Sequence, residues 1–406
     1  KLKTEGQYKL NITVGGKNYT SDGFTITEGG LAKLTLSSII HYYNKQRANT
    51  PEELEADQHI RLFGSDKTVD LRGGWCDASG DVSKYFSHLS YANFMSPQQI
   101  PLVTWSMESV DENISGLLSK WGLKDSLENE ALYGADYIMR SLSAEGYFYE
   151  TVFSYFRKNP NDRRVVGLRA NSVTTDEYQA AFREGGGMGI AALARISRWG
   201  KHGEHTSQQY LDAAKRAFAH LLVNNTKYDD DGKENILDDY CALMAATELW
   251  ISTNEPLYRD EARKRAANLS KRMSPNGYFI ANDANRPYWH ASDAGMPIVA
   301  LSRYLKKETD PELRSKAVQT IKRALDYNLL VSHKVSNPFG YARQSFLYKG
   351  EVKDGFFIPH ENETGWWWQG EDARLASLAT AAIVGGRVAY PANDGWGIKN
   401  SYATYA

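Results

Sequence analysis

The sequence predicts a mainly helical protein built from helical hairpins, with a short β segment at its start. Three observations predict this class. Apolar residues recur at helical spacing from residue 31 onward. Ala-rich helix pairs repeat at intervals near 50 residues. Residues 8–26 instead alternate in the manner of β-strands.

The β segment reads YKLNITV, a Gly-Gly turn and then DGFTITEGG. These stretches predict two or three strands of an incomplete β-sandwich, because so few strands rarely form an independent unit. We therefore expect a partial sandwich over residues 1–28 and one helical domain over residues 29–406.

Three stretches carry the clearest helical spacing: LAKLTLSSIIHYYNKQ, LENEALYGADYIMRSL and DEYQAAFREGGGMGIAALARISRW. The glycines of the last stretch lack the spacing of a phosphate-binding loop, and no strand precedes them. They predict a close contact between helices.

Three successive Ala-rich helices end in Trp199, Trp250 and Tyr304, which are 51 and 54 residues apart. A polar turn and a second Ala-rich helix follow each one. This period indicates a helical array of roughly ten to twelve helices. Six hairpins closed into a ring, an (α/α)6 barrel, and an open solenoid both fit the pattern.

Composition excludes several classes of function. The formal net charge of −1 provides no basic field for nucleic acid. No run of about 18 apolar residues predicts a membrane span. Two cysteines give no disulfide framework, and we expect free thiols, with a bond between Cys76 and Cys241 as the alternative. The chain begins KLKTEG, so we expect the mature form of a secreted or periplasmic protein.

Three long non-helical stretches, about residues 55–96, 144–173 and 329–366, are predicted to build the functional site on the helical frame. The first holds GGWCDASGD, in which Asp77 and Asp81 share one loop. Two carboxylates on one loop can bind a water, and one can act as a general base. Trp75 and Tyr85 are predicted to form the floor of a sugar subsite. A solvated turn and a calcium loop are the alternatives.

The third stretch leads into a second acidic cluster, within IPHENETGWWWQGEDARLASLA. Glu371 begins an apparent helix there, and Glu363 is its rival as a proton donor. One carboxylate loop and one distant acid, both beside aromatic residues, are the components of a glycosidase. The aromatic side chains predicted to contact sugar here are Trp366, Trp367 and Trp368.

These motifs resemble glycoside hydrolase family 9, the inverting β-glucanases. GGWCDASGD is similar to the family's GGWYDAGD, and QGEDARLASLA is similar to the helix that carries its general acid. NPFGY, IPH and LDDYCALMAATELW resemble further family motifs in the same order, and the first 28 residues resemble the end of the immunoglobulin-like domain that often precedes this catalytic module.

The resemblance implies an (α/α)6 barrel that hydrolyses β-1,4-linked glucan or cello-oligosaccharides with inversion and without a redox cofactor. It implies that Asp81 is the general base, that Asp77 helps to hold the water and that Glu371 is the general acid. His360 would contact the substrate ring. The extra residue in DASGD, and Glu361 and Asn362 in place of a His-Arg pair, predict a different substrate register, such as short oligosaccharides or a decorated or amino-sugar polymer.

Smaller signals leave alternatives open. His290, in WHASDAG, is predicted to contact substrate at the mouth of the site, with a helix-capping role for its neighbours as the alternative. DDDGKEN at 229–235 has the oxygen-rich spacing of part of a calcium loop, so a structural calcium is retained as an alternative. A polysaccharide lyase and a non-catalytic glycan-binding protein remain the rival functions.

Overall fold

The structure is a computed structural model of the 406-residue chain. It describes residues 4–77, 81–87, 98–155, 157–169, 173–290, 292–356, 360–362, 365–367, 371–391 and 402, with the backbone alone over the two short segments between 360 and 367.

Helices dominate the described part of the chain, as the sequence predicts. They are α1 (Gly30–Gln46), α2 (Pro51–Asp57), α3 (Ile100–Trp121), α4 (Lys124–Ser141), α5 (Gly186–Ile196), α6 (Ser207–Tyr228), α7 (Ile236–Thr253), α8 (Pro256–Lys271), α9 (Met296–Tyr304), α10 (Pro311–His333) and α11 (Glu371–Ala389).

The helices form two layers. Every residue of α5 and α9, and nearly every residue of α7, is buried, whereas α6, α8 and α10 bury one face and expose the other. A helix that is apolar on all sides must lie inside a domain. Contacts run from α3 to α5, α7, α9 and α11 in turn, and each of these helices also packs on an outer neighbour.

Short strands occupy the non-helical stretches. They are β1 (Gly6–Tyr8), β2 (Asn11–Val14), β3 (Lys17–Thr20), β4 (Phe24–Ile26), β5 (Ile60–Leu62), β6 (Thr68–Val69), β7 (Lys84–Tyr85), β8 (Thr151–Phe153), β9 (Arg164–Arg169), β10 (Val173–Thr175), β11 (Gln344–Tyr348), β12 (Glu351–Gly355), β13 (His360–Asn362) and β14 (Gly365–Trp367).

One sheet joins two of the long non-helical stretches. Its order is β6-β5-β9-β8-β7, with β10 paired to β9. Strand β5 runs parallel to β9, and the other pairs are antiparallel. Strands β1 to β4 form two separate antiparallel pairs, β1 with β4 and β2 with β3, whose side chains are mostly exposed.

One predicted helix begins later than expected. The spacing of DEYQAAFREGGGMGIAALARISRW predicts helix throughout, but α5 starts only at Gly186. Before it, Gln179 pairs with Tyr149 in a β-bridge, and Gly185 has a left-handed backbone with φ of +94°. Long-range pairing and a positive φ therefore override the apolar periodicity of this segment.

The glycines of α5 serve a close helix contact, as predicted. A methyl group added at Gly187 would lie 2.7 Å from the backbone carbon and oxygen of Cys241 on α7. Backbone atoms cannot move aside as a flexible side chain can. Both cysteines are free, Cys241 buried and Cys76 half-buried, which confirms the expected thiols.

We expect Gly187→Ala to lower the free energy of unfolding by about 1–3 kcal/mol, because it overpacks the α5–α7 contact. Urea denaturation measures the change. Gly116→Ala is the matched control, since an added methyl at this exposed position of α3 has no atom within 4 Å. The control should be neutral or slightly stabilising, because alanine favours helix. Equal effects in the two variants would contradict the close contact.

Candidate active site

The loops that precede the inner helices meet at one end of the fold. The loop before α3 reaches the loop before α5, where the Gln98 side chain donates to the Arg183 carbonyl. The loops before α7 and α9 join where the Ile236 amide donates to the Ala281 carbonyl at 3.0 Å. Helix α11 joins them where the Gly295 amide donates to the Ser377 hydroxyl at 3.0 Å. The first of these loops holds Asp77 and Asp81, and α11 begins with Glu371.

Asp81 is held by three hydrogen bonds to one carboxylate oxygen. Its Oδ1 accepts from the Ser83 amide at 2.9 Å, the Ser83 hydroxyl at 2.8 Å and the Ser154 hydroxyl at 2.5 Å. Its Oδ2 has a longer contact of 3.5 Å with the Tyr85 hydroxyl. The side chain is half-buried. This arrangement orients the carboxylate and leaves Oδ2 as the oxygen better placed to accept a proton from water.

Asp77 lies on the same loop, close to its closure. Its amide donates to the Ser83 carbonyl at 2.9 Å, which brings the two ends of this loop together. The Cys76 amide donates to the Gln46 carbonyl at 2.8 Å and ties the loop to α1. Asp77 also lines a cavity of about 210 Å³, shared with Tyr43 and Gln98. The residues between the two aspartates, 78–80, lie outside the described residues.

A buried ion cluster stabilises the loop that holds Asp77 and Asp81, here called the aspartate loop. The Lys84 ammonium donates to Asp57 Oδ2 at 2.7 Å and to the Leu71 and Gly73 carbonyls at 2.6 and 2.9 Å. The Arg163 guanidinium binds the other Asp57 oxygen and donates to the Val82 carbonyl at 3.1 Å. The two cations thus fix the loop on both sides of the aspartates.

Burial changes the acidity of this cluster. It lowers the pKa of Lys84 and raises the pKa of Asp57, because each charged form loses solvation. Burial also raises the pKa of the nearby Cys76 thiol to about 12, so that this thiol stays protonated at neutral pH.

Trp75 and Tyr85 do not form the exposed floor that their position beside the aspartates predicts. Trp75 is only 4% exposed and Tyr85 only 1%. The Trp75 indole N–H donates to Glu130 at 3.1 Å, and its ring packs edge-on against Tyr43. Trp75 therefore belongs to the hydrophobic core, and Tyr85 packs with the sheet side chains Phe153 and Val166. Core packing, which aromatic residues favour, overrides the surface role that we expected.

Glu371 lies in the first turn of α11 and forms an ion pair with Arg374. Arg374 Nε donates to one Glu371 oxygen at 3.0 Å, and its terminal nitrogen donates to the other. The guanidinium is fully buried and also donates to Gln344 at 2.9 Å and to the Ala342 carbonyl at 3.0 Å. A proton-donating role therefore requires that this pair separates when substrate binds.

His290 is fully buried before α9. Its Nδ1 accepts from the Ser292 amide at 3.1 Å and the Asp293 amide at 2.9 Å, so the proton of the neutral ring lies on Nε2. Burial lowers the pKa of His290 and keeps it neutral. Among the described residues, Nε2 has no acceptor. The burial and the two amide bonds show that His290 orders the turn before α9, and they argue against the predicted contact at the mouth of the site. The predicted cap is not formed, because Gly295 is the N-cap residue of α9 and no side chain accepts a cap hydrogen bond there among the described residues.

The acidic loop at 229–235 surrounds an arginine. The buried Arg183 guanidinium contacts Asp229 at 3.1 Å, Asp230 at 2.6 Å, Asp231 at 3.0 Å and Asp238 at 3.5 Å. The spacing of oxygen-bearing residues predicted part of a calcium loop. In the structure, the guanidinium of Arg183, from the loop before α5, lies among these carboxylates. Within the described residues, no group of three or more His, Cys, Asp or Glu side chains is arranged to hold a metal ion.

Several predicted residues have no described side chain. His360 lies in β13 and Trp366 and Trp367 lie in β14, where His360 is the register partner of Trp367. Glu363 and Trp368 lie outside the described residues.

Two residues that sequence reasoning missed are the serines that bind Asp81. Ser83 follows Asp81 by two positions, a spacing at which an aspartate side chain often accepts a bond from the backbone. That local signal was available. Ser154 lies 73 residues further along the chain and had no local signal.

Comparisons with known proteins identify a family. The model of the family described as "Glycosyl hydrolase family 9" matches residues 33–356. No curated protein sequence matches the chain.

Solved structures share the fold at low sequence identity. GH family 9 endoglucanase J30 is 17% identical, with 99% of this chain and 70% of that chain covered and a TM-score of 0.59. Bacteroides ovatus GH9 is 19% identical, with the same coverage and a TM-score of 0.56. Endoglucanase CelQ from Clostridium thermocellum, complexed with cellotetraose, is 15% identical, with 92% and 54% covered and a TM-score of 0.54.

The fold is thus an (α/α)6 barrel, the closed form of the two architectures that the periodicity allowed. Among the described residues, none of the helices has the length and apolar character needed to span a membrane.

Proposed function

The chain belongs to glycosyl hydrolase family 9, and from this premise we propose that it hydrolyses β-1,4-linked glucan or cello-oligosaccharides with inversion of configuration. The observation that carries the proposal is Asp81, whose Oδ1 is fixed by Ser83 and Ser154 while Oδ2 keeps only a longer contact. The cellotetraose complex of one structural relative supports a cello-oligosaccharide as substrate.

In the proposed mechanism Asp81 removes a proton from water, and Asp77 helps to hold that water. The water attacks the anomeric carbon from the face opposite the leaving sugar, which inverts the configuration there. Glu371 protonates the departing glycosidic oxygen. Inverting enzymes place the two carboxyl groups roughly 6.5–9.5 Å apart so that a water fits between base and sugar. No cofactor takes part in these steps.

Glu371 differs from the two aspartates in its support. The family match at 33–356 contains both aspartates but not this glutamate. Its ion pair with Arg374 must open before it can donate. Its support is its position at the start of α11, the helix that joins the other loops through the bond between Gly295 and Ser377.

The remaining predictions complete the proposal. Residues 1–28 are proposed to be part of an immunoglobulin-like domain, and residues 29–406 the catalytic domain. His360, Trp366, Trp367 and Trp368 are proposed to contact the sugar. The protein is proposed to act outside the cytoplasm, where polymeric glycans are found.

The proposal is tested by incubating the wild-type protein with a panel of soluble β-glycans and following reducing ends. Proton NMR of the first product identifies the anomer before it equilibrates. We expect release from a β-1,4-glucan with the α-anomer formed first. Release of the β-anomer first would reject inversion. An unsaturated product absorbing near 235 nm would favour the lyase, and binding without release would favour the glycan-binding protein.

The acid assignment needs its own test, with Glu371→Gln and Glu363→Gln compared on two substrates. In an aryl cellobioside with an acidic phenol, the phenolate can leave without being protonated. Hydrolysis of this substrate therefore does not need the general acid. We expect Glu371→Gln to lose at least ~100-fold activity on cello-oligosaccharide, within the usual range for a general acid, but far less on the aryl glycoside. The same pattern in Glu363→Gln, with Glu371→Gln active, would transfer the role to Glu363.

A further inference from the structure

A cavity with three arginines lies beside the sheet, next to the segment that holds Asp81. Its volume is about 500 Å³. We call it the arginine cavity, and the lining residues that matter here are Arg61, Phe63, Tyr155, Arg157, Asp162 and Arg164.

The charges that line the arginine cavity are unbalanced. Asp162 is the carboxylate among the lining residues, and it lies 3.6 Å from Arg157. Both of these side chains are exposed, at 68% and 38%, so water screens the pair. Among the described residues, Arg61 and Arg164 have no carboxylate partner, and Arg164 donates only to the Asn161 and Arg163 carbonyls, at 3.2 and 2.7 Å. The cavity therefore carries a positive excess.

The sheet register places two of these charges side by side. Arg61 on β5 and Arg164 on β9 are direct partners in the parallel pair, and the next pair, Leu62 and Val165, is buried. The buried pair fixes the register, so the two arginines cannot slide apart. Like charges at directly opposite positions reduce the stability of a sheet. Local exceptions of this kind are expected at functional sites.

A strained residue forms another part of the wall. Tyr155 has a left-handed backbone with φ of 54°, which is uncommon for a residue with a large side chain. Its ring packs against Phe153 with centroids 4.9 Å apart and belongs to the same apolar cluster as Phe63. Strain of this kind is concentrated at functional sites, where packing holds it in place.

The arginine cavity adjoins the proposed general base through the chain itself. Ser154, which binds Asp81, immediately precedes Tyr155, and the Arg157 amide donates to the Ser154 carbonyl at 3.0 Å. Arg163, which precedes Arg164, donates to the Val82 carbonyl next to Asp81. Two short segments of the chain, residues 154–157 and 163–164, therefore connect Asp81 to the wall of the arginine cavity.

We propose that the arginine cavity binds an oxyanion carried by the glycan, a carboxylate or a sulfate ester on a sugar away from the cleaved bond. This inference rests on the proposed function and specifies its substrate as an acidic or partly acidic β-glycan. Planar guanidinium groups match the geometry of such oxyanions and can bind them through paired hydrogen bonds. The rings of Phe63 and Tyr155 supply apolar surface for the sugar that carries the charge.

The test measures binding by calorimetry in an Asp81→Asn background, so that no substrate is consumed. The probes are cellotetraose, cellotetraose oxidised to carboxylates at C6, and cellotetraose sulfated at C6. We expect the preferred anionic probe to bind roughly tenfold to a hundredfold more tightly than the neutral one, the range for hydrogen bonds to charged groups. Raising the salt concentration should reduce this ratio. The two anionic probes distinguish carboxylate from sulfate.

The variant Arg61→Gln/Arg164→Gln should bring the ratio of anionic to neutral affinity close to one. The control Lys271→Gln/Lys316→Gln removes the same net charge from exposed positions on α8 and α10 and should keep the ratio. A ratio near one in the background protein, or an unchanged ratio in the arginine-cavity variant, would overturn the proposal. Urea denaturation confirms that both double variants fold.

The outcomes also separate this inference from the proposed function. Hydrolysis of neutral cello-oligosaccharide without any preference for an anionic probe would keep the hydrolase and reject the arginine cavity as an oxyanion site. Tight binding of an anionic probe by a wild-type protein that hydrolyses neither the neutral nor the anionic probes would reject the hydrolytic mechanism and keep the cavity.

Discussion

Replacing Asp81 with asparagine is expected to lower kcat on cello-oligosaccharide at least ~100-fold, because a general base typically contributes 10²–10⁴-fold. Asparagine keeps the size of the side chain and can still accept the bonds that Ser83 and Ser154 donate to Oδ1. It cannot accept the proton from water. Initial rates of reducing-end release measure the effect, and unchanged urea denaturation shows that the fold is intact.

Two further variants make the Asp81 result specific. Asp212→Asn removes an exposed carboxylate on α6 and should leave kcat unchanged. Ser154→Ala removes one of the bonds that orient Asp81 and should lower kcat with little change in KM, and Ser154→Thr should recover part of the loss. Activity of Asp81→Asn within a few-fold of wild type would mean that another group, with Asp77 the first candidate, takes the proton.

Asp57→Ala is expected to destabilise the protein by about 3–5 kcal/mol, the usual cost of removing one partner from a buried ion pair. The change leaves the fully buried side chains of Lys84 and Arg163 without their shared carboxylate. It also weakens the support of the aspartate loop, because both cations donate to carbonyls of that loop. The free energy of unfolding from urea denaturation measures the effect.

Glu28→Ala is the matched control for Asp57→Ala. Glu28 pairs with Lys120 at 2.6 Å, but the two side chains are 62% and 56% exposed. Exposed pairs contribute at most about 1 kcal/mol, so the control should change stability little. Similar losses in the two variants would show that the buried cluster is no more important to stability than a surface pair.

Local patterns were sufficient for the helices but not for their exact limits. The prediction that LAKLTLSSIIHYYNKQ forms a helix is confirmed by α1, because apolar residues at this spacing favour a helix. The spacing did not report the buried face, since Ile40 is the one buried residue of α1. The same spacing failed before Gly186, where Gln179 pairs with a distant strand and Gly185 adopts a positive φ. A β-bridge to a distant residue leaves no period in the sequence.

The sequence likewise predicted some features of the candidate site and missed others. The aspartate loop was visible as GGWCDASGD, and the Glu371–Arg374 pair has the (i, i+3) spacing that predicts an ion pair on a helix. The sequence did not predict the burial of Trp75, because an aromatic residue beside two acids is equally typical of a core position and of a sugar-binding surface. In the structure its contact with Glu130 on α4 places it in the core.

The sequence by itself determined the helical hairpins and the stretches that carry the acids, because each depends on local period or spacing. Only the tertiary structure decided which groups meet: Ser154 with Asp81, Arg183 with the acidic loop, and Arg61 with Arg164. The partners in each pair are between 46 and 103 residues apart in the chain. Contacts over such separations are selected by the packing of the whole core, and no local pattern records them.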